Sequence, residues 1–195
     1  SPTSNIIKSV KRSMAGEYSR ELSTKVFQGA CRLIQLGFKQ GGSAGFGLRR
    51  VLVDQAGKTK GTLKFGEHKS LQTDRVVLMP GPEEEQAIVR EIYTAFLDQG
   101  KSEREIADDL NSRKIVTDLG RPWTRGTVHQ VLTNEKYIGN NVYHRTSFKL
   151  KRKHVENPPE MWIRAQAAFP SIIDPLLFAK VQEMILARAK RYSDD

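Results

Sequence analysis

Residues 102–134, SEREIADDLNSRKIVTDLGRPWTRGTVHQVLTN, carry the clearest structural pattern in this sequence. Its hydrophobic spacing predicts two short amphipathic helices joined by a tight connection. Ser102 followed by Glu105 is a capping-box pattern, so the first helix is expected to begin directly after Ser102. The apolar face of this helix consists of Ile106, Ala107 and Leu110.

The second helix of this stretch is expected to begin after Thr124, which is a favourable N-cap residue. Trp123 and Val128 stand where a hydrophobic staple places its two apolar residues. The residues expected in the core are Val128, Val131 and Leu132. The residues expected to face outward are Arg125, Thr127, Gln130, Thr133 and Asn134. In a basic chain this pair is typical of a helix-turn-helix that enters a DNA major groove, although a helical hairpin that only packs has the same pattern.

The chain is basic, and its charge is unevenly distributed. The formal net charge is +10, with 14 Lys/Arg against 5 Asp/Glu in residues 1–82 and 18 against 17 in residues 83–195. Residues 144–154, HRTSFKLKRKH, carry five Lys/Arg and no acidic residue. Basic stretches on a neutral scaffold favour a polyanion, because contacts to phosphates release counterions. A solvated basic face is the alternative, and a membrane surface is a weaker one because no segment is apolar enough to span a bilayer.

Length and composition are those of a soluble globular protein. The 195 residues, 38% of them hydrophobic, can bury one core and carry an appended element. The single cysteine, Cys31, excludes an internal disulfide and any multi-cysteine zinc site, and its apolar neighbours indicate a packing role. We therefore expect no metal and no cofactor.

Residues 4–36 predict a long helix, because apolar residues recur every four positions and no proline interrupts them. The stripe consists of Val10, Met14, Tyr18, Leu22, Val26, Ala30 and Ile34. A four-residue repeat drifts around a straight helix, so the stripe would meet different neighbours along its length. We expect its N-terminal half to find no partner within this chain.

A glycine-rich stretch, GFKQGGSAGFGLRR, follows at residues 37–50. It lacks the GxxxxGK[ST] pattern of a phosphate-binding loop, so nucleotide binding is not indicated. An extended Gly/Arg segment that enters a minor groove and a flexible linker both fit this composition. Residues 48–54, 62–65 and 75–79 are candidate strands, and the first two are expected to form a hairpin.

Two more helices complete the predicted fold. One begins at Pro82, with three glutamates in its first turn and Gly100 as its stop, and it makes a three-helix unit with the pair at 102–134. Residues 137–143 are a short strand or turn, and a final helix begins at residues 174–175. The predicted fold class is mainly α with a small β-sheet (α+β): a long N-terminal helix, a helix-turn-helix-type bundle with a β-hairpin, and a C-terminal helix.

Four stretches of the chain, in this order, resemble large serine site-specific recombinases. They are AGEYSRELSTKVFQG, GFKQGGSAGFGLRRV, PGPEEEQAIVREIYTAFLDQGKSEREIADDLN and GRPWTRGTVHQVLTNEKYIGNNVYHR. Such enzymes cut and rejoin DNA for phage integration and for the excision or inversion of mobile elements. The resemblance covers nearly the whole chain, and what it matches is the region after the catalytic domain.

The resemblance implies a division of the chain. Residues 1–36 would be the long linker helix from the catalytic domain, and residues 37–60 a Gly/Arg-rich arm with the start of a hairpin. Residues 61–195 would be the recombinase DNA-binding domain, with the helix-turn-helix at 102–134 and the C-terminal helix at 174–191. It also implies double-stranded DNA with an attachment site as the partner, a homo-oligomeric full-length parent, and a cytoplasmic protein of bacterial or phage origin.

The chain departs from the family at its catalytic centre. The nucleophilic serine of the family lies in a Tyr-x-Arg-x-Ser type motif near the start of the catalytic domain, and the stretches that resemble the family all come from the region after that domain. We therefore expect the catalytic domain to be absent, no catalytic residue, and a fragment inactive in strand cleavage. Members often carry a zinc ribbon after this region, which one cysteine cannot build.

The candidate DNA contacts form three groups. Contacts to base edges are expected from Arg125, Thr127, Gln130 and Asn134. Contacts to the DNA backbone are expected from Thr124, His129, Arg145, Lys149, Lys151, Arg152 and Lys153. The minor-groove arm is expected to use Gly45, Gly47, Arg49 and Arg50.

Two other classes of function are alternatives to DNA binding. In an interaction or oligomerisation module, the long helix would be a docking surface and DNA would bind only non-specifically. A complete hydrolase or nuclease would need a cluster of carboxylates. The candidates for such a cluster are interpreted as a solvated helix face, and they are Glu103, Glu105, Asp108 and Asp109.

Overall fold

The computed structural model describes residues 2–148 and 153–193. It begins with α1 (Pro2–Gln35), the long helix that the four-residue repeat predicts. Residues 4–29 are exposed along their whole length, and Tyr18 is 68% exposed. Ile34, in the last turn, is buried. The last turns of α1 pack against the two-stranded sheet of residues 141–143 and 163–165. Because residues 4–29 are exposed, the expectation that the N-terminal half of α1 has no partner is confirmed within the described chain.

Three strands form an antiparallel sheet in the order β2-β1-β3. They are β1 (Leu48–Val53), β2 (Thr59–Leu63) and β3 (Arg75–Pro80). Arg50 of β1 pairs with Leu63 on one side and with Leu78 on the other. The predicted hairpin and third strand are therefore present. Strand β2 begins three residues earlier than predicted, so it runs across the predicted boundary between residues 60 and 61. The division of the chain into domains stays a prediction.

The helices of the second half begin where their capping residues predict. They are α2 (Glu83–Leu97), α3 (Glu103–Ser112) and α4 (Arg125–Thr133). Both α3 and α4 have complete capping boxes, the first between Ser102 and Glu105 and the second between Thr124 and Thr127. Each box satisfies backbone N–H groups that would otherwise be unpaired at the helix start.

The connection between α3 and α4 differs from the predicted tight turn. It covers residues 113–124 and is a folded loop. Its turn is closed by the backbone N–H of Thr117, which donates to the Arg121 carbonyl at 2.9 Å, while the Thr117 hydroxyl accepts from the Arg121 N–H at 3.2 Å. Gly120 supplies the positive φ of +67° that this turn needs. The prediction of a tight connection was wrong because it was based only on the apolar faces of the two helices, which do not determine the length or fold of the loop between them.

Shorter elements follow α4. A 3₁₀ turn (Glu135–Ile138) leads into β4 (Asn141–Tyr143), which pairs with β7 (Ile163–Ala165). Between them, β5 (Thr146–Ser147) pairs with β6 (Val155–Glu156). The chain then enters α5 (Pro175–Ser193). Strand β4 lies within residues 137–143, where a strand or turn is predicted.

One hydrophobic core joins these elements. It contains the buried faces of α2, α3 and α4, the first part of α5, and buried residues from the glycine-rich stretch and the three-stranded sheet. Tyr93 of α2 is fully buried, and its hydroxyl donates to the Val131 carbonyl of α4 at 2.9 Å. The predicted class, mainly α with a small β-sheet (α+β), is confirmed, and the strands form three small antiparallel sheets.

Candidate nucleic-acid interface

Helix α4 is buried on one face and polar on the other. Val128, Val131 and Leu132 are all buried at 3% exposure or less, as the stripe predicts. Gln130 is exposed and lies opposite this stripe. The other polar residues of α4 lie on its two flanks, and each flank borders a different cavity.

The first flank of α4 faces the glycine-rich stretch. A groove of about 370 Å³ lies between them, bordered on one side by Ser43 and Gly45. Its helix side is lined by Thr124, Thr127, Gln130 and Asn134. The fold thus brings a predicted arm residue and three of the four predicted base-contact residues, all except Arg125, into one concave surface.

Three of these polar residues already have structural hydrogen bonds. The Thr124 hydroxyl accepts from the Thr127 N–H at 3.2 Å, and the Thr127 hydroxyl accepts in return from the Thr124 N–H at 2.8 Å. The side chain of Asn134 accepts from the Lys136 N–H, which caps the 3₁₀ turn. Their contact with DNA stays a prediction. Gln130, the fourth residue of the group, is exposed and has no such structural hydrogen bond within the described residues.

The second flank of α4 carries Arg125 and His129, which are one helical turn apart. Both border a cavity of about 620 Å³ between α3, α4 and α5. Glu103, the first residue of α3, lies between them. Its Oε2 is 3.0 Å from Arg125 Nε, and its Oε1 is 2.6 Å from His129 Nδ1.

The interpretation of Glu103 as part of a solvated face is wrong. Its side chain is only 12% exposed, because it is covered by the two α4 residues that bind it. Glu105 caps α3, Asp108 is exposed, and Asp109 lies 3.3 Å from Arg113. The helical pattern could not distinguish Glu103 from its neighbours, since the partners that cover it belong to another helix.

The glycine-rich stretch is packed into the fold between residues 44 and 48. Phe46 is buried and its ring meets the Trp123 ring edge-on, with 4.9 Å between centroids. The Phe46 carbonyl accepts from the Tyr137 hydroxyl at 3.0 Å. Gly45, with φ of +97°, has no room for a Cβ beside Lys136 Nζ. A side chain at that position would displace the lysine.

Arg49 and Glu85 hold this stretch to the start of α2. The Glu85 carboxylate accepts from both terminal nitrogens of Arg49, at 2.6 and 2.9 Å, and from the Gly47 N–H at 3.1 Å. Hydrogen bonding from Arg49 lowers the pKa of Glu85 and raises that of Arg49. Arg50 donates to the Lys64 carbonyl. A minor-groove role for Gly45, Gly47, Arg49 and Arg50 stays a prediction, and it would require Arg49 to act while paired.

Lys136 gives the interface a pH-dependent stability. Its Nζ donates to the Ala44 carbonyl at 2.8 Å, and burial lowers its pKa from 10.5 to about 8. Between these two values the unfolded chain binds more protons than the folded one, so the free energy of unfolding rises with pH.

We expect this rise to be smaller in Lys136→Met, by about 1–2 kcal/mol between pH 8 and 10 after allowance for partial solvent screening. Urea unfolding of both proteins across this range measures the difference. Burial raises the pKa values of Tyr93 and Tyr137, so stability falls above pH 10 and the comparison stops there. Identical slopes for the two proteins would contradict the assignment to Lys136.

The predicted basic contacts at 145–153 are partly described. Arg145 lies over the Trp162 ring, 4.9 Å from its centroid, and Arg164 lies over the same ring at 4.8 Å. Lys153 is exposed. Lys149, Lys151 and Arg152 lie outside the described residues. Arg145 thus lies beside the β5–β6 pair, where the Trp162 ring holds its guanidinium. Its contact with DNA remains a prediction.

Neither a metal site nor a membrane-spanning helix occurs in the described part of the chain. No group of His, Cys, Asp or Glu side chains there has the arrangement of a metal site. No helix among those residues has the length and apolar character that crossing a membrane requires.

A family model matches the second half of this chain. The Recombinase model matches residues 83–188, which is more than half of the chain and includes α2, α3 and α4. The chain belongs to the Recombinase family. No curated protein matches this Recombinase-family chain.

Two solved structures are similar to this Recombinase-family chain. One is described as "Sequence Requirements of the Listeria innocua prophage attP site", with 17% identity, a TM-score of 0.49, and coverage of 83% of this chain and 51% of that chain. The other is described as "Crystal Structure of a LSR-DNA Complex", with 19% identity, a TM-score of 0.46, and coverage of 83% and 38%. The chain therefore spans about half or less of the length of either structure.

Sequence reasoning missed the role of two residues that organise this candidate interface. Asn111 donates to the Trp123 carbonyl at 2.9 Å and accepts from the Trp123 N–H at 2.8 Å, so it fixes the end of the α3–α4 loop. Glu103 joins α3 to α4, as described above. An asparagine at the end of α3 was the available signal for the first, since Asn favours contacts with backbone groups outside helix interiors.

Proposed function

We propose that this chain binds double-stranded DNA sequence-specifically, as the non-catalytic part of a serine recombinase that performs site-specific recombination. The observation that carries the proposal is the outward face of α4. In a member of the Recombinase family with a net charge of +10, this face presents Gln130 between two polar flanks, with Arg125 79% exposed at the helix start. Long polar side chains on one exposed helix face are what major-groove recognition uses.

Gly126 provides a test of this proposal. It lies on the exposed side of α4, where a Cβ would meet only the Thr124 hydroxyl, at an ordinary distance of 3.8 Å. The fold itself therefore leaves room for a side chain. A helix laid against a DNA groove does not leave that room, because the glycine lets its backbone approach the bases.

We expect Gly126→Ala to stabilise the folded chain by about 0.4–1 kcal/mol and to weaken its binding to duplex DNA several-fold. Thermal unfolding measures the first effect, and fluorescence anisotropy with labelled duplexes measures the second. Gly29→Ala is the matched control, since Gly29 lies on α1 with no heavy atom within 4 Å of its Cβ position. Unchanged DNA affinity in Gly126→Ala would place another surface on the DNA.

The non-catalytic character of the chain is a second part of the proposal. Its support is that the one Tyr-x-Arg-x-Ser spacing in the sequence, at residues 143–147, lies within the Recombinase match rather than near the start of a catalytic domain. We expect supercoiled plasmids that carry a bound sequence to stay uncut and to form no covalent protein–DNA adduct. Denaturing gels after proteinase-free incubation measure both. A covalent adduct would show that the chain itself contains a nucleophile for strand cleavage.

The basic residues of the stretch 145–153 are proposed to contact phosphates. Their support is the run of five Lys/Arg without an acidic residue in residues 144–154. Such contacts position a protein on DNA without distinguishing sequences. Thr124 and His129 are proposed for the same role beside α4.

A second candidate function is protein contact through α1. The observation that favours it is the exposed apolar stripe, in which Met14 is 67% and Tyr18 68% exposed. Large apolar side chains in a continuous exposed row mark interaction surfaces. Homo-oligomerisation of the full-length parent through such a surface stays a proposal, and sedimentation velocity of the chain with and without duplex DNA measures it.

A further inference from the structure

We propose that Glu103 and Arg125 form a guanine-binding site at the start of α4, in which Glu103 is the positioning residue. The inference rests on the proposed function, because it names the base that one residue of the α4 face recognises. Neither residue alone would suffice: Arg125 supplies the hydrogen-bond donors, and Glu103 fixes the direction in which they point.

The two side chains differ sharply in exposure. Arg125 is 79% exposed, whereas Glu103 is 12% exposed. Both carboxylate oxygens of Glu103 are used, Oε2 by Arg125 Nε and Oε1 by His129 Nδ1. The carboxylate is therefore held between two helices, while the guanidinium that it anchors extends outward from α4.

The contact atom decides what Arg125 can do. A guanidinium has five N–H donors, and the one at Nε is taken by Glu103. The two terminal nitrogens have no hydrogen-bond partner within the described residues. They lie side by side in a fixed plane and match the O6 and N7 acceptors of guanine on the major-groove edge. Anchoring at Nε thus leaves free the pair of donors that this base requires.

His129 makes the anchor more rigid. A carboxylate only accepts hydrogen bonds, so His129 Nδ1 is the donor in this contact. Glu103 is then fixed from two positions one helical turn apart on α4. Arg125, anchored to this fixed carboxylate, loses less conformational freedom on binding than an unrestrained arginine. This favours a contact to the correct base over a diffuse contact to phosphate.

The charge of Glu103 gives the inference a distinctive consequence. A carboxylate close to DNA repels phosphates, so its presence lowers affinity for DNA of any sequence. If Glu103 positions Arg125, then Glu103→Gln raises or preserves binding to arbitrary duplexes while it reduces preference for the selected one. A residue that served only the fold would lower both affinities together.

The experiment compares Glu103→Gln with wild type on two probes, a duplex enriched from a random library and a duplex of random sequence. We expect the ratio of the two affinities to fall by about tenfold in Glu103→Gln, with no loss on the random duplex. Replacing guanines by 7-deazaguanine one at a time should weaken wild type at one position, and both Glu103→Gln and Arg125→Lys should lose that sensitivity.

Glu91→Gln is the matched control. Glu91 pairs with Arg113 at 2.7 Å, away from α4, so the same change of charge there should leave the ratio unchanged. If Arg125→Lys lowers the ratio and Glu103→Gln leaves it within twofold of wild type, the positioning role is overturned and the proposed function stands. If wild type itself shows no preference, both are overturned. Should Glu103→Gln fail to fold, Glu103→Asp keeps the charge but withdraws the carboxylate from Arg125 Nε, and a ratio within twofold of wild type in that variant would overturn the positioning role.

Discussion

Arg125→Ala is expected to lower the discrimination between the preferred duplex and unrelated duplexes by about 1–3 kcal/mol. The physical reason is the loss of a two-donor contact to one base edge, made from the first residue of α4. Arg125 is 79% exposed and contributes no core packing, so the variant should unfold at nearly the same temperature as wild type. Anisotropy titrations with the two duplexes, at one salt concentration, measure the change.

Arg145→Ala is the control for this result. Arg145 stacks on Trp162 and is proposed to contact phosphate, so its loss should weaken binding to all duplexes about equally. An equal loss on every duplex in Arg125→Ala would likewise place Arg125 on the DNA backbone and contradict its role in base recognition.

Trp123→Ala is expected to destabilise the fold by about 3–5 kcal/mol, since it removes a large side chain from a packed core. Trp123 is 3% exposed and packs edge-on against Phe46, so its loss opens a cavity between the α3–α4 loop and the glycine-rich stretch. This cost is a large fraction of the stability of an ordinary domain. Urea unfolding followed by circular dichroism measures it.

Two matched variants separate the packing of Trp123 from its polar group. The indole N–H is buried without a hydrogen-bond partner among the described residues, so Trp123→Phe should cost much less than Trp123→Ala. Trp162→Ala removes the other, half-buried tryptophan and should also cost less. A Trp123→Ala variant no less stable than Trp162→Ala would contradict the position of Trp123 in the core.

The local features of the fold could be predicted because they depend on near neighbours in sequence. The capping pair Ser102 and Glu105 fixes where α3 begins, and both residues lie within one helical turn. The buried stripe of α4 follows from helical periodicity alone. The exposure of the N-terminal half of α1 could also be predicted, since a four-residue repeat drifts around a straight helix and does not keep its apolar residues facing one neighbour.

The remaining features depend on contacts between distant parts of the chain. Glu103 looked like any exposed acid on α3, and only the position of α4 shows that it binds Arg125 and His129. The glycine-rich stretch has the composition of a flexible arm, yet the Arg49–Glu85 pair and the buried Phe46 hold its second half in place. The Glu103 contacts and the Arg49–Glu85 pair have no local sequence signature, because each joins residues more than twenty positions apart.

The most direct test of sequence-specific DNA binding is a selection of bound duplexes from a random double-stranded library, followed by sequencing, at about 150 mM salt so that non-specific phosphate contacts are weakened. We expect enrichment of one motif that contains a guanine, and loss of preference at that guanine in Arg125→Ala. Binding without enrichment, or no binding, would contradict the claim that the outward face of α4 recognises DNA sequence.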